Sequence, residues 1–207
     1  MYEVEVKVSA DHAAVRSALA AAGAARVGTL AQADTYFDAP HRDFAETDEA
    51  LRVRRVATAS ADFDRDSVDA DSLSAAIDAV LDGEYRASAE SRVTYKGPLV
   101  EAASKTREEF ETGVESGAEM RTILDRVGFA PAATVRKLRE KHRLGDFTVL
   151  LDAVEDVGEY VEVETEVESE DAVEAAREDA YELLERLGLD PSDQVRTSYL
   201  GLKLGGE

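Results

Sequence analysis

Strict alternation opens the chain: in YEVEVKV, residues 2–8, Val4, Val6 and Val8 fall on one face of an extended strand and Glu3, Glu5 and Lys7 on the other. The next stretch, SADHAAVRSALAAAGA, reads as a helix that Ser9 or Asp11 can cap and Gly23 ends. Strand-like segments follow at QADTYFDAP (32–40), TDEALRVRRV (47–56), SRVTYKGP (91–98) and SKTREEFETGV (104–114). SGAEMRTILDRVGF (116–129) spaces Met120, Ile123, Leu124 and Val127 as one helical face and closes with Gly128. Three more strands are predicted in ATVRKLREKHRL (133–144), FTVLLDAVEDVG (147–158) and EYVEVETEVE (159–168). The helix SEDAVEAAREDAYELLERLGL (169–189) precedes the tail VRTSYLGLKL. Its leucine stripe, in ELLERLGL, reads as a packing face, with a helix-mediated homodimer as the lesser alternative.

The motifs EVEVKV, EEFETGV and VEVETEV each join an acidic alternating strand to an amphipathic helix. That echo predicts a strand-rich closed body with helices outside. Residues 59–90 are dominated by acidic residues, serine and alanine and hold few large apolar groups; SLSAAIDAVL (72–81) can form a short helix, and the whole reads as an acidic insertion, a mobile surface excursion from one domain spanning 1–207.

Keeping parity within each strand collects the charges. Glu3, Glu5 and Lys7 are joined by Arg52 and Arg54; Lys96; Lys105, Arg107, Glu109 and Glu111; Lys137 and Arg139; Asp152; and Glu162, Glu164 and Glu166. The opposite faces carry Val4 and Val6, Phe110 and Val114, and Val161 and Val163, which call for burial. If helices cover the apolar faces, the charged faces meet across a closed sheet and form a polar tunnel. Lysine and arginine suit phosphate oxygens, whereas clustered carboxylates repel a polyphosphate unless a divalent cation lies between. Mg²⁺ or Mn²⁺ fits, because hard cations prefer oxygen ligands and share them with phosphates. The competing reading is a network of mutually neutralising salt bridges with no ligand.

The 207 residues are 44% hydrophobic, enough for a core. Cysteine is absent, which excludes disulfides and thiolate chemistry. No basic leader and no apolar run of about 20 residues is present, so the expectation is a cytoplasmic protein without membrane partners. With 45 acidic against 24 basic residues the formal net charge is −21, which argues against nucleic acid as a ligand. It suits a halophilic protein from a salt-rich cytoplasm, where self-repulsion is screened within about 3 Å at 1 M salt. No glycine-rich phosphate loop, serine triad or zinc cluster occurs, and His12, His41 and His142 lie outside the charged parity sets and read as surface or structural groups.

The segment EVEVK resembles the ExExK signature of the CYTH superfamily, the triphosphate tunnel metalloenzymes. QADTYFDAP, TDEALRVRR, TYKGP, SKTREEFE, VRKLRE, LDAVEDVGEYVEVE and RTSYLGL occur in the order and rough spacing of its class IV adenylate cyclase branch, so the resemblance covers nearly all the chain except the insertion. It implies an α+β fold, a closed eight-stranded antiparallel β-barrel with helices packed outside. It further implies Glu3, Glu5, Asp152, Glu162 and Glu164 as ligands of Mg²⁺ or Mn²⁺. Lys7, Arg52, Arg54, Lys96, Lys137 and Arg139 would grip phosphates, with Lys105 and Arg107 as additional contacts and Glu109 and Glu111 holding basic side chains. Glu3, Glu5, Lys7 and Arg54 would be catalytic. The implied reaction converts ATP to cyclic AMP and pyrophosphate. The same tunnel serves a triphosphatase acting on tripolyphosphate, thiamine triphosphate or a nucleotide, and a non-catalytic triphosphate sensor is a third alternative. The insertion is long for the family and bears on access to the tunnel.

Overall fold

Why the strands form where they do is visible in the burial of alternate residues. The computed structural model describes residues 2–98 and 108–205, leaving aside the side chains of Glu3, Ala45 and Glu170. Along the chain these form β1 (Tyr2–Ser9), α1 (His12–Ala21), β2 (Ala25–Asp38), α2 (Phe44–Thr47), β3 (Ala50–Ala59), α3 (Leu73–Asp82), β4 (Arg86–Lys96) and β5 (Glu109–Val114). Then come α4 (Gly117–Arg126), β6 (Ala130–Leu144), β7 (Phe147–Val154), β8 (Gly158–Val167), α5 (Val173–Arg186) and α6 (Tyr199–Lys203). Hydrogen bonds order the strands β1-β8-β7-β6-β2-β3-β4-β5, and among the described residues no ladder joins β5 to β1.

The chain divides into two compact units. One comprises Met1–Leu30, Asp64–Ala76 and Lys137–Glu207, the other Ala31–Phe63 and Ile77–Arg136. In the first, β1, β8, β7 and β6 pair antiparallel in turn. Val6, Val8, Val149, Leu151, Val161 and Val163 present one continuous apolar face. Val15 and Leu19 of α1 and Ala180, Leu183 and Leu184 of α5 cover it, with Leu187 just beyond. The leucine stripe of the last long helix is therefore a packing face. Burying each such Val or Leu contributes about 1.5–3 kcal/mol. Asp11 caps α1 by accepting from the Ala14 N–H at 3.0 Å, and Gly23, at φ +77°, turns the chain out of the helix.

In the second unit, β3 pairs with β4 and β4 with β5. Phe37, Phe44, Leu51 and Val53 form a smaller core with Leu124 of α4. Ser116 caps α4 by accepting from the Glu119 N–H.

Four expectations need correction. β2 begins at Ala25, seven residues before the predicted start, because its opening residues Ala25–Val27 are exposed and the inward pattern starts only near Ala31. Residues 59–90 form the short helix that SLSAAIDAVL offers, α3, but are not a surface excursion: they also carry the end of β3 and the start of β4, and Ile77 and Val80 of α3 are completely buried. Phe110 is not buried but 61% exposed, since β5 is a short strand at the end of the strand order and no described element covers that side chain. The tail also holds a helix, α6, capped by Ser198 through the Gly201 N–H. Residues 104–107 of the strand predicted over 104–114, with Lys105 and Arg107, lie outside the described residues.

Candidate active site

In the first unit, the face opposite the apolar one is charged, as alternation requires. The β1–β8 register sets Glu5 opposite Glu164 and Lys7 opposite Glu162, and the β6–β7 register sets Arg139 opposite Asp152. Carboxylate oxygens of Glu5, Glu162 and Glu164 all lie within 4.8 Å of one another. Like charges this close raise the energy of the fully ionised set unless a cation lies among them. Glu3 stands further along the same strand, opposite Glu166.

Asp152 is fully buried and accepts from Lys137 Nζ at 2.8 Å and from Arg139 Nε and Nη2 at 2.5 Å each. Arg139 Nη2 also bonds Glu162, which ties the buried pair to the carboxylate cluster. Burial works against the charge on Asp152, but Arg139 and Lys137 outweigh it and hold the carboxyl well below the usual carboxylate range. Burial and the neighbouring Arg139 push Lys137 down, while burial is outweighed at Arg139 by Asp152 and Glu162, which push it up. Lys7, also buried, donates to the Thr197 carbonyl at 2.8 Å.

The second unit carries its own charged face. Arg54 clasps the buried Asp34 through two parallel bonds of 2.7 and 2.6 Å, and Arg52 approaches the same carboxylate at 3.5 Å. Arg92 and Thr94 both donate to Glu111 at 2.8 Å, and Lys96 pairs with Glu109 at 2.8 Å. Glu109 and Glu111 therefore hold basic side chains, while Arg52, Arg54 and Lys96 each meet a carboxylate.

His12 is buried and hydrogen-bonds the Tyr160 carbonyl at 3.0 Å. His142 stands beside Glu140 on the other parity of β6 from Lys137 and Arg139. Glu140, itself buried, takes bonds from Arg16 and lies 3.6 Å from Arg65 and 3.8 Å from Arg26. Burial opposes its ionisation, but His142 and Arg16 prevail and bring it down to about 2. This node, like the histidines, lies off the charged face that holds Asp152.

The match to known proteins decides the affiliation. Residues 1–199 match the model of the CYTH domain. The chain belongs to the CYTH family. This CYTH protein is 32% identical over 204 residues to a candidate adenylate cyclase of Methanocaldococcus jannaschii, covering 98% of this chain and 99% of that one. It superposes on the structure of the PH1819 protein of Pyrococcus horikoshii with a TM-score of 0.75 at 30% identity, over 99% of both chains. A Hippeastrum protein described as a candidate adenylyl cyclase with a dominant triphosphatase activity shares the fold, with a TM-score of 0.59 at 17% identity over 99% of this chain and 96% of that one. The α+β tunnel fold with its eight antiparallel strands is thus the fold of this chain. CYTH enzymes bind triphosphates and depend on a divalent metal.

Asp34, Arg92, Thr94 and Thr197 escaped the sequence reading. Asp34 shares parity with Gln32 and Tyr36 in QADTYFD, and extending the face count to that strand would have found it. Thr94 lies two positions from Lys96 and was legible in the same way. Thr197 acts through its backbone carbonyl, which no side-chain pattern reveals.

Proposed function

We propose that this CYTH protein is a divalent-metal-dependent enzyme that cyclises ATP to cyclic AMP and pyrophosphate. The observation that carries the reading is the meeting of the Glu5, Glu162 and Glu164 oxygens on the same sheet face as the buried Lys137 and the half-buried Arg139. The donor set is all carboxylate oxygen, which suits Mg²⁺ or Mn²⁺. Glu5, Glu162 and Glu164 would hold the ion, with Glu3 next along the strand. Asp152, which the family pattern also assigns to the metal, holds both bases and would have to loosen them to join the set. When bound, the cation lowers the pKa of the attacking hydroxyl and neutralises phosphate charge.

The ribose 3′-oxygen attacks the α-phosphorus, forming the cyclic diester as the bond to the bridging oxygen breaks and pyrophosphate leaves. Charge then grows on the leaving group, where directed cationic donors are most effective. Lys7, Lys137 and Arg139 would supply them in the first unit, and the family pattern adds Arg52, Arg54, Lys96, Lys105 and Arg107 as phosphate contacts.

A triphosphatase is the second reading. Replacing the ribose hydroxyl by water needs none of these side chains to change, and the Hippeastrum relative bears a triphosphatase activity in its description. The test is to incubate the purified protein in high salt with Mg²⁺ or Mn²⁺ and either ATP or tripolyphosphate, and to resolve the products by chromatography. Cyclic AMP with pyrophosphate establishes the cyclase; phosphate without cyclic nucleotide establishes the triphosphatase; triphosphate binding without turnover overturns both in favour of a sensor.

A further inference from the structure

One aromatic ring serves two of the lysines assigned to phosphate. Lys7 Nζ lies 4.3 Å from the centroid of the Tyr199 ring and Lys137 Nζ lies 4.8 Å from it. Among the described residues each ammonium also bonds an oxygen: the Thr197 carbonyl for Lys7 and the Asp152 carboxylate for Lys137, both at 2.8 Å. The ring is itself braced, with Tyr160 edge-on at a centroid distance of 5.3 Å. Tyr199 is the first residue of α6, capped by Ser198, and the Val195 N–H bonds the Lys7 carbonyl at 2.7 Å, which ties the tail to β1. The Tyr199 hydroxyl is buried beside Glu162, so the ring face, and not the oxygen, engages the lysines.

The choice of an aromatic ring has a chemical consequence. A buried ammonium needs a counter-charge or an equivalent. A carboxylate would satisfy it, but would also repel an incoming triphosphate and compete for the lysine. The negative face of a ring attracts the ammonium with no net charge. Lys7, whose other partner is a neutral carbonyl, is therefore held with its charge available to an anion, and the ring adds to the Asp152 bond in fixing Lys137.

We propose that Tyr199 is a positioning residue that holds Lys7 and Lys137 ready for the triphosphate, a role that rests on the triphosphate reading above. It touches no reacting atom; it acts through the two ammonium groups.

The test pairs calorimetric binding of inorganic tripolyphosphate, in the presence of Mg²⁺, with steady-state kinetics on Tyr199→Phe and Tyr199→Leu. Tyr199→Phe keeps the ring and retains affinity and KM within about 3-fold of the unmodified protein, whereas Tyr199→Leu weakens binding and raises KM roughly 10-fold with a smaller change in kcat. Equal affinity in Tyr199→Leu overturns the proposal, as does equal loss in both variants. Absence of tripolyphosphate binding by the unmodified protein overturns the triphosphate reading itself, and with it this one. A second measurement needs no Tyr199 variant: the ε-methylene resonances of Lys7 and Lys137, assigned through Lys7→Arg and Lys137→Arg, are shifted upfield by the ring and move on adding tripolyphosphate. Unshifted resonances contradict the assignment even if Tyr199→Leu fails to fold.

Discussion

The charged faces of the two units are built from the same residue types but answer different electrostatic problems. In the first unit, carboxylates converge on one another: Glu5, Glu162 and Glu164 within 4.8 Å, with the buried Asp152 linked to them through Arg139. In the second, each named carboxylate meets a base: Asp34 has Arg54 and Arg52, Glu109 has Lys96, and Glu111 has Arg92. In the first, three carboxylates crowd together while Arg139 bridges Glu162 and Asp152; in the second, carboxylates and bases pair off one by one. Burial differs as well, since Asp152 and Lys137 are sealed inside, whereas Lys96 and Glu109 remain substantially exposed. Similar sequence patterns thus yield one face where carboxylates gather and one where carboxylates and bases pair off, and the register of the strands makes the difference.

The sharpest break in that comparison comes from the carboxylate cluster. Glu5→Gln is expected to abolish turnover, by at least about 100-fold, while leaving the fold intact and removing the rise in unfolding midpoint that Mg²⁺ gives the unmodified protein. Chromatographic product assay and thermal unfolding with and without Mg²⁺ read both halves. Arg54→Lys, in the other unit, keeps the charge but loses the two-pronged clasp on Asp34, and should raise KM by roughly 10-fold with the fold intact. The conservative change is preferable to Arg54→Ala, which would strand the buried Asp34 and confuse stability with function.

Stability gives the next contrast. Asp152→Asn leaves Lys137 and Arg139 without their buried carboxylate and should cost about 3–5 kcal/mol in urea unfolding. Glu109→Gln, which breaks an exposed pair, should cost about 0–1 kcal/mol.

The pH response follows from groups whose folded pKa lies below the unfolded one. Glu140 goes from an ordinary 4.5 to about 2, and Asp152 is likewise depressed. Their stabilisation is present above the unfolded pKa and is lost as pH falls through the folded one. Urea midpoints should therefore drop between about pH 4.5 and about pH 2. Glu140→Gln should flatten that slope, and an unchanged slope would remove Glu140 from the account.

Much of this was legible in the chain because alternation and burial agree in β1, β7 and β8, where Val6, Leu151 and Val163 lie on the face that helices cover. The charged residues of those strands then had only one side left. Legibility failed where small residues blur the pattern. The start of β2 has no apolar alternation; the helix α3 is legible, but its burial at Ile77 and Val80, set among serine, alanine and aspartate, depends on neighbours remote in sequence. The sequence also placed Asp152 and Glu162 on one face without revealing that Arg139 would bind both. Side-chain pairing within a face depends on rotamers and distances that parity does not encode.

The most direct test of the central claim is Mn²⁺ binding followed by electron paramagnetic resonance, with and without tripolyphosphate, in the unmodified protein and in Glu164→Gln. The account predicts a bound Mn²⁺ signal whose linewidth changes when tripolyphosphate is added, and loss of that signal in Glu164→Gln. Equal Mn²⁺ binding by both proteins, or a signal indifferent to tripolyphosphate, would contradict it.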